Sequence, residues 1–262
     1  MLALIAGQGK LPEYVARKIS APMTIASLEG YPPETLTSDR VFRIERLGSF
    51  LAELREDGVS EVCFAGAIRR PALDPSFLDA ATMPLVPAMM QAMQQGDDAA
   101  LRAVLSFFES AGLIVRGAHE IAPDLIPEIG VPTRRKPDAD QERDALRGWD
   151  ILDALGAADT GQSCVVHRGQ ALALEAMPGT DWMLKSIAVR PDMATGGVLC
   201  KGPKPNQDRR IDMPTIGPST VSQATKAGLA GIVIAAGGVL AIDMAEIVRR
   251  ADDKNMFIWV RE

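Results

Sequence analysis

The chain predicts an α/β protein of two domains, the first a Rossmann-like parallel sheet, and three observations carry that prediction. Short apolar runs alternate with amphipathic stretches through the first half, the pattern of strand–helix–strand crossover units. Residues 130–138 then gather one glycine, two prolines and three basic residues, a composition typical of exposed connections. Finally, the 262 residues are enough for two domains of about 130 each. The expected division is 1–132 and 139–262, with a linker over 133–138.

The elements follow in order. Leu2 to Ala6 is a short apolar strand, Gly7-Gln8-Gly9 a tight turn, and Leu11, Val15 and Ile19 recur at helical spacing. Met23 to Leu28 and Val41 to Ile44 read as strands. Leu47, Phe50, Leu51 and Leu54 give one helical face, which Gly58 closes. A strand at Val59 to Ala65 precedes helices at Leu85–Gln95 and Asp98–Ala111 and a strand at Leu113–Val115. Beyond the linker, Asp140 to Leu155 reads as an amphipathic helix. Ser163–His167 and Ala171–Ala176 read as a hairpin turning at Arg168-Gly169-Gln170. The tail returns to alternation, with a strand at Gly231–Ala235, a helix at Met244–Ala251 and a strand at Met256–Val260.

Composition excludes several function classes. Hydrophobic residues make up 47% and charged residues 24%, so the chain buries enough apolar surface to fold. A net charge of −6 argues against nucleic acid as a partner. The three cysteines fit neither a zinc site nor a disulfide framework and read as buried thiols in a reducing cytoplasm. His119 and His167 leave little room for histidine chemistry; the first reads as a loop residue beside Glu120, the second as part of the hairpin. No run reaches the roughly 20 apolar residues that span a bilayer, and the first strand lacks the basic flank of a signal peptide.

Ionic chemistry therefore rests on carboxylates, lysines and arginines. The turn at Gly7 and Gly9 sets backbone N–H groups and a helix start where a phosphate binds in dinucleotide folds, but position 12, where the fingerprint has glycine, is proline; a turn with no ligand has equal weight. Arg69 and Arg70 follow a strand end. Asp98 opens a helix. The stretch from Lys201 to Thr220 is the most informative. It holds four prolines, which exclude regular structure, and it carries Lys201, Lys204, Asp208, Arg209, Arg210 and Asp212. Cations beside two carboxylates suit a phosphate held by Lys and Arg with a divalent ion held by Asp; a salt-bridged surface loop is the alternative. Upstream, Thr180 or Asp181 caps a helix, and Glu175 ends an apolar strand where an unpaired carboxylate is costly.

At these motifs the sequence resembles the LpxI-type UDP-2,3-diacylglucosamine pyrophosphatases of bacterial lipid A biosynthesis. The resemblance runs through Ile5–Pro12, Gly96–Val104, Asp159-Thr160-Gly161-Gln162 and, most specifically, Lys201–Thr220. It departs at Pro178, where the family usually has glutamate before Gly-Thr-Asp, which leaves Glu175 as the nearest spare carboxylate.

The resemblance implies a substrate cleft between two α/β domains. The activity it implies is magnesium-dependent (or manganese-dependent) hydrolysis of UDP-2,3-diacylglucosamine to UMP and 2,3-diacylglucosamine 1-phosphate. It implies a cytoplasmic homodimer working at the inner membrane surface. On this reading Asp208, Asp212 and Lys204 are catalytic, with Asp208, Asp212, Asp181 and Glu175 as the metal carboxylates. Gly7, Gly9, Asp98, Thr180, Lys201, Gln207, Arg209, Arg210 and Thr220 contact substrate. A non-catalytic nucleotide-sugar or lipid-phosphate binding protein is the alternative. A nicotinamide-dependent oxidoreductase is a third reading, resting only on the first glycine turn.

Overall fold

The fold is that of a computed structural model, which describes every residue except 69–71, 95, 96, 191–194 and 206, and leaves aside the side chains of 93, 97 and 98. The chain divides into two compact units. The first comprises Met1–Pro123 together with Asp208–Asp212, and the second comprises Asp124–Gln207 and Met213–Glu262.

The first unit is built from β1 (Leu2–Ala6), α1 (Leu11–Lys18), β2 (Met23–Leu28), β3 (Arg40–Phe42), α2 (Leu47–Glu56), β4 (Glu61–Ala65), α3 (Val86–Met93), α4 (Asp97–Ser110), β5 (Ile114–Arg116) and the short α5 (Ala118–Ile121). Its five strands lie in the order β3-β2-β1-β4-β5, all parallel. This is the doubly wound order, with the direction of winding reversing between β1 and β4. The short apolar runs seen in the sequence are the strands of this sheet, and β1 at its centre is buried at every residue from Ala3 to Ala6. Leu47, Phe50, Leu51 and Leu54 of α2 pack on it, and Phe108 of α4 meets Phe64 edge-on at 5.0 Å. The segment Asp208–Asp212 joins this unit, with Ile211 packed against the same core.

The second unit contains α6 (Ala139–Ala157), β6 (Ser163–His167), β7 (Gln170–Leu174), α7 (Gly179–Ala188), β8 (Val198–Lys201), β9 (Thr215–Ile216), α8 (Pro218–Lys226), β10 (Gly231–Ala235), β11 (Leu240–Ala241), α9 (Met244–Asp253) and β12 (Phe257–Arg261). The main sheet runs β12-β10-β8-β6-β7, in which β12, β10 and β8 are parallel and β6 is antiparallel to both its neighbours. The expected hairpin is present. Arg168 (φ 50°) and Gly169 (φ 75°) are both left-handed, the two-residue turn that matches strand twist. The buried Asp144 of α6 accepts both their N–H groups, at 3.0 and 2.6 Å, and so anchors the hairpin to the helix.

Two expectations need correction. Residues 133–138 are no free linker. The Thr133 hydroxyl accepts the Ile258 N–H, Arg134 pairs with Asp252, and Asp138 caps α6 in a reciprocal box with Gln141, all within the second unit. The division falls instead at Pro123/Asp124. The stretch from Lys201 to Thr220 also carries regular structure at both ends, since Lys201 closes β8 and Thr215–Ile216 pairs with β11. Its prolines sit between and beside those elements, where no ladder N–H is needed.

Candidate functional site

The second unit brings four polar side chains together at the carboxyl end of β8, the edge where open α/β sheets bind ligands. Lys201 is the last residue of β8, Ser163 the first of the antiparallel β6, and the two are register partners. Glu175 follows β7 directly and extends the ladder by donating its N–H to Ser163 O at 2.9 Å. Thr180 lies in the first turn of α7. Lys201 Nζ donates to Thr180 Oγ1 at 2.8 Å, Thr180 Oγ1 to Glu175 Oε2 at 2.7 Å, and Ser163 Oγ to the same carboxylate oxygen.

This chain of contacts is nearly dry: Lys201 is 6% exposed and Glu175 8%. A lysine and a glutamate are stable at such depth only when their charges and protons are matched, and the two hydroxyls perform that matching. The site also lies at the positive end of α7, which has no side-chain cap. Gly161 permits the arrangement. A Cβ there would stand 2.2 Å from Glu175 O, so only glycine lets the α6–β6 turn pass the backbone at Glu175.

A second layer follows from the turn after β8. Lys204 Nζ pairs with Asp159 at 2.7 Å, and Gln207 Oε1 accepts the Lys204 N–H at 3.2 Å. Gln207 Nε2 reaches Gln162 Oε1 at 3.2 Å, and Gly202 N donates to Gln162 O. Asp159 has a left-handed backbone (φ 49°), which aspartate tolerates better than most residues. Lys201, Lys204, Gln207, Glu175 and Thr180 thus share one region of the second unit, while Asp181 is exposed in the first turn of α7. Thr220 serves α8 instead, accepting the Gly217 N–H at 3.1 Å.

Asp208, Arg209, Arg210 and Asp212 belong to the first unit. Arg210 grips Asp208 through two parallel contacts, Nε–Oδ1 at 3.0 Å and Nη2–Oδ2 at 2.7 Å, and its Nη1 reaches Glu109 on α4 at 2.6 Å. The guanidinium holds the Asp208 carboxyl below the usual carboxylate range, and Asp208 with Glu109 pushes the Arg210 pKa upward. The Arg209 carbonyl lies over Gly117, beside His119, which sits in α5 and not in a loop; its Nδ1 is buried without a hydrogen-bond partner.

The glycine turn of the first unit is occupied by its own backbone. Gly7 N donates to Ala65 O at 2.8 Å, and Gln8 and Ala67 exchange two hydrogen bonds. A Cβ on Gly7 would stand 2.7 Å from Ala67 O, whereas Gly9 (φ 93°) faces open space. Asp98 as a side chain, and Arg69 and Arg70, lie outside the described residues.

Two of the four carboxylates expected to hold a metal, Asp208 and Glu175, are engaged by other groups. Arg210 takes both oxygens of Asp208, and hydroxyls take Glu175. Among the described residues no group of three or more His, Cys, Asp or Glu side chains is placed to hold a metal ion. Ser163, Asp159, Gln162 and Glu109 were not singled out by chemistry in the sequence.

Comparison with known proteins covers both units. Family models for the LpxI N-terminal domain and the LpxI C-terminal domain match residues 1–125 and 128–259. The chain is 37% identical over 270 residues to a Caulobacter vibrioides protein named UDP-2,3-diacylglucosamine pyrophosphatase LpxI, covering 98% of this chain and 96% of that protein.

Proposed function

The chain belongs to the LpxI family, and on that premise we propose that it hydrolyses the diphosphate of UDP-2,3-diacylglucosamine to UMP and 2,3-diacylglucosamine 1-phosphate. The observation that carries the reading is identity across nearly the whole of both chains, which leaves no domain of that relative unmatched. In the reaction a water oxygen bonds to phosphorus, the bridging P–O bond breaks, and close to two protons are released at neutral pH as both phosphomonoesters ionise. Charge grows on the bridging and terminal oxygens as this happens. A cation fixed before the substrate arrives stabilises that charge without reorganisation, and Lys201 at the positive end of α7 supplies one. Thr180 and Glu175 hold its ammonium in place. Lys204 and Gln207 supply further groups in this proposal, and the family motif assigns Asp208 and Asp212 the orienting of water or charge.

Dependence on magnesium or manganese is part of the proposal. Magnesium takes one or two carboxylates at most, with the rest of its shell from water and phosphate oxygens, so the diphosphate itself can bring the ion. The reading also places the protein in the cytoplasm as a homodimer at the inner membrane. No helix among the described residues is long and apolar enough to cross a membrane. The test is incubation of the purified protein with UDP-2,3-diacylglucosamine and magnesium, then with excess chelator. Release of UMP and the sugar 1-phosphate that stops on chelation is the expected result. Binding without product would favour a carrier instead, and product formation unaffected by chelator would remove the metal.

A further inference from the structure

The turn that feeds Glu175 and Thr180 into the buried cluster carries apolar side chains on its other side. Leu174 at the end of β7 is 48% exposed, Met177 at the tip 97%, Trp182 in the first turn of α7 63%, and Val189 at its end 80%. Ala176 and Pro178 beside Met177 are exposed too. On α7 the buried residues Met183, Leu184 and Ile187 mark the inner face. Trp182, Lys185, Ser186 and Val189 recur at three- and four-residue spacing on the opposite one. Single exposed apolar residues need no explanation, but several in one strand–turn–helix do.

We propose that this face, formed by Leu174, Met177, Trp182 and Val189, seats on the surface of an anionic lipid bilayer. The proposal rests on the functional reading above, in which the substrate carries two acyl chains. Three observations favour lipid over a protein partner. An exposed indole and a methionine tip, with Lys185 on the same helix face as the indole, is a composition that partitions into the headgroup region. Lys185 on α7 and Arg190 just past its end are exposed and complement anionic headgroups; Asp181 is the one exposed acid on α7. The turn is also two-sided, with Met177 and Trp182 outward and Glu175 and Thr180 inward, so a diacyl substrate keeps its chains in lipid while its diphosphate reaches Lys201. The face acts as a docking surface and takes no part in the chemistry.

The test uses the full chain and vesicles of phosphatidylcholine with phosphatidylglycerol. The wild type sediments with these vesicles, less so at high salt, and Trp182 emission shifts to the blue relative to a Trp182→Phe control. The double variant Met177→Glu/Trp182→Glu retains its melting temperature but binds vesicles about tenfold more weakly. It turns over vesicle-embedded substrate correspondingly more slowly, with a dispersed short-chain analogue processed at the wild-type rate. Lys185→Glu weakens binding at low salt only. Equal sedimentation of wild type and double variant, or none by either, overturns the proposal. So does a double variant that changes oligomeric state with no change in vesicle binding, which would mark the face as a contact between copies. Failure of both proteins to release UMP from the dispersed analogue overturns the functional reading and leaves the vesicle result standing.

Discussion

Two charged residues hold most of what can be tested one side chain at a time. Lys201 is buried at the end of β8 with Thr180 as a hydrogen-bond partner, and its ammonium is a fixed cation of the second unit. Lys201→Met keeps the volume and removes the charge. The expected outcome is a fall in kcat/KM for UMP release of about a hundredfold or more, with a lowered melting temperature because the buried Glu175 loses its matching charge. A variant of unchanged kcat/KM would remove Lys201 from the chemistry. Asp208 is different, because its partner Arg210 lowers its pKa in the folded state. A carboxyl with a depressed folded pKa contributes stability above its unfolded pKa of about 4 and loses it as pH falls through the folded value. Asp208→Asn therefore melts below the wild type at neutral pH, and the gap closes under about pH 4. Melting curves across that range check the sign, and a gap that widens in acid contradicts it. The residue-level signal in the sequence was mixed. Lys201, Glu175 and Thr180 carry charge or hydroxyl at strand and helix ends and could be read there. Ser163 could not, since its importance comes from lying opposite Lys201 across two strands joined by a long connection.

At the scale of elements, the second unit depends on how closely its turns pass. Gly161 crosses Glu175 at a distance that no Cβ tolerates, whereas a Cβ at Gly202 would meet only Ala235 and Leu152 at 3.6 Å, an ordinary contact. Gly161→Ala is expected to cost about 1–3 kcal/mol, a drop on the order of 5 °C. It should also impair turnover, because the strain falls on the backbone that holds Glu175. Gly202→Ala should stay within about 0.5 kcal/mol of the wild type. Thermal melts of the pair test the contrast, and equal losses would contradict it. The parallel sheet of the first unit was legible because its strands are short apolar runs between helical periodicities. The hairpin was legible from Arg168-Gly169, which sets a two-residue turn. Strand β8 was not anticipated, as Val198–Lys201 is short, ends in lysine and precedes a proline-rich run. Its burial comes from neighbours distant in sequence, Gly231–Ile234 on one side and Ser163–Val166 on the other.

At the scale of the whole molecule, the chain enters the second unit at Asp124, returns to the first for Asp208–Asp212, and leaves it again. Ile211 packs on the first unit's core, and Arg210 ties the same segment to Glu109. Ile211→Ala should therefore cost about 1–2 kcal/mol, felt in the first unit although the residue follows β8 in sequence. Hydrogen exchange gives the readout: amides of β4 and β5 should exchange faster in the variant while those of β8 and β10 keep their rates. Faster exchange confined to the second unit would show the assignment to be mistaken. Composition and motif order pointed to two α/β units, but the reassignment of these five residues follows from tertiary packing and has no local mark in the sequence.

That returning segment bears on modularity. The two family domains are contiguous along the chain, at residues 1–125 and 128–259, and look like cassettes that recombination could exchange. As folded objects they are not. A chimaera joined near residue 125 would complete its first half with a strap from a foreign second half, and Ile211 and Arg210 would have to suit a core and a Glu109 they had not evolved with. The two halves are thus expected to be inherited together, and a functional hybrid would need residues 208–212 to travel with the half that precedes them.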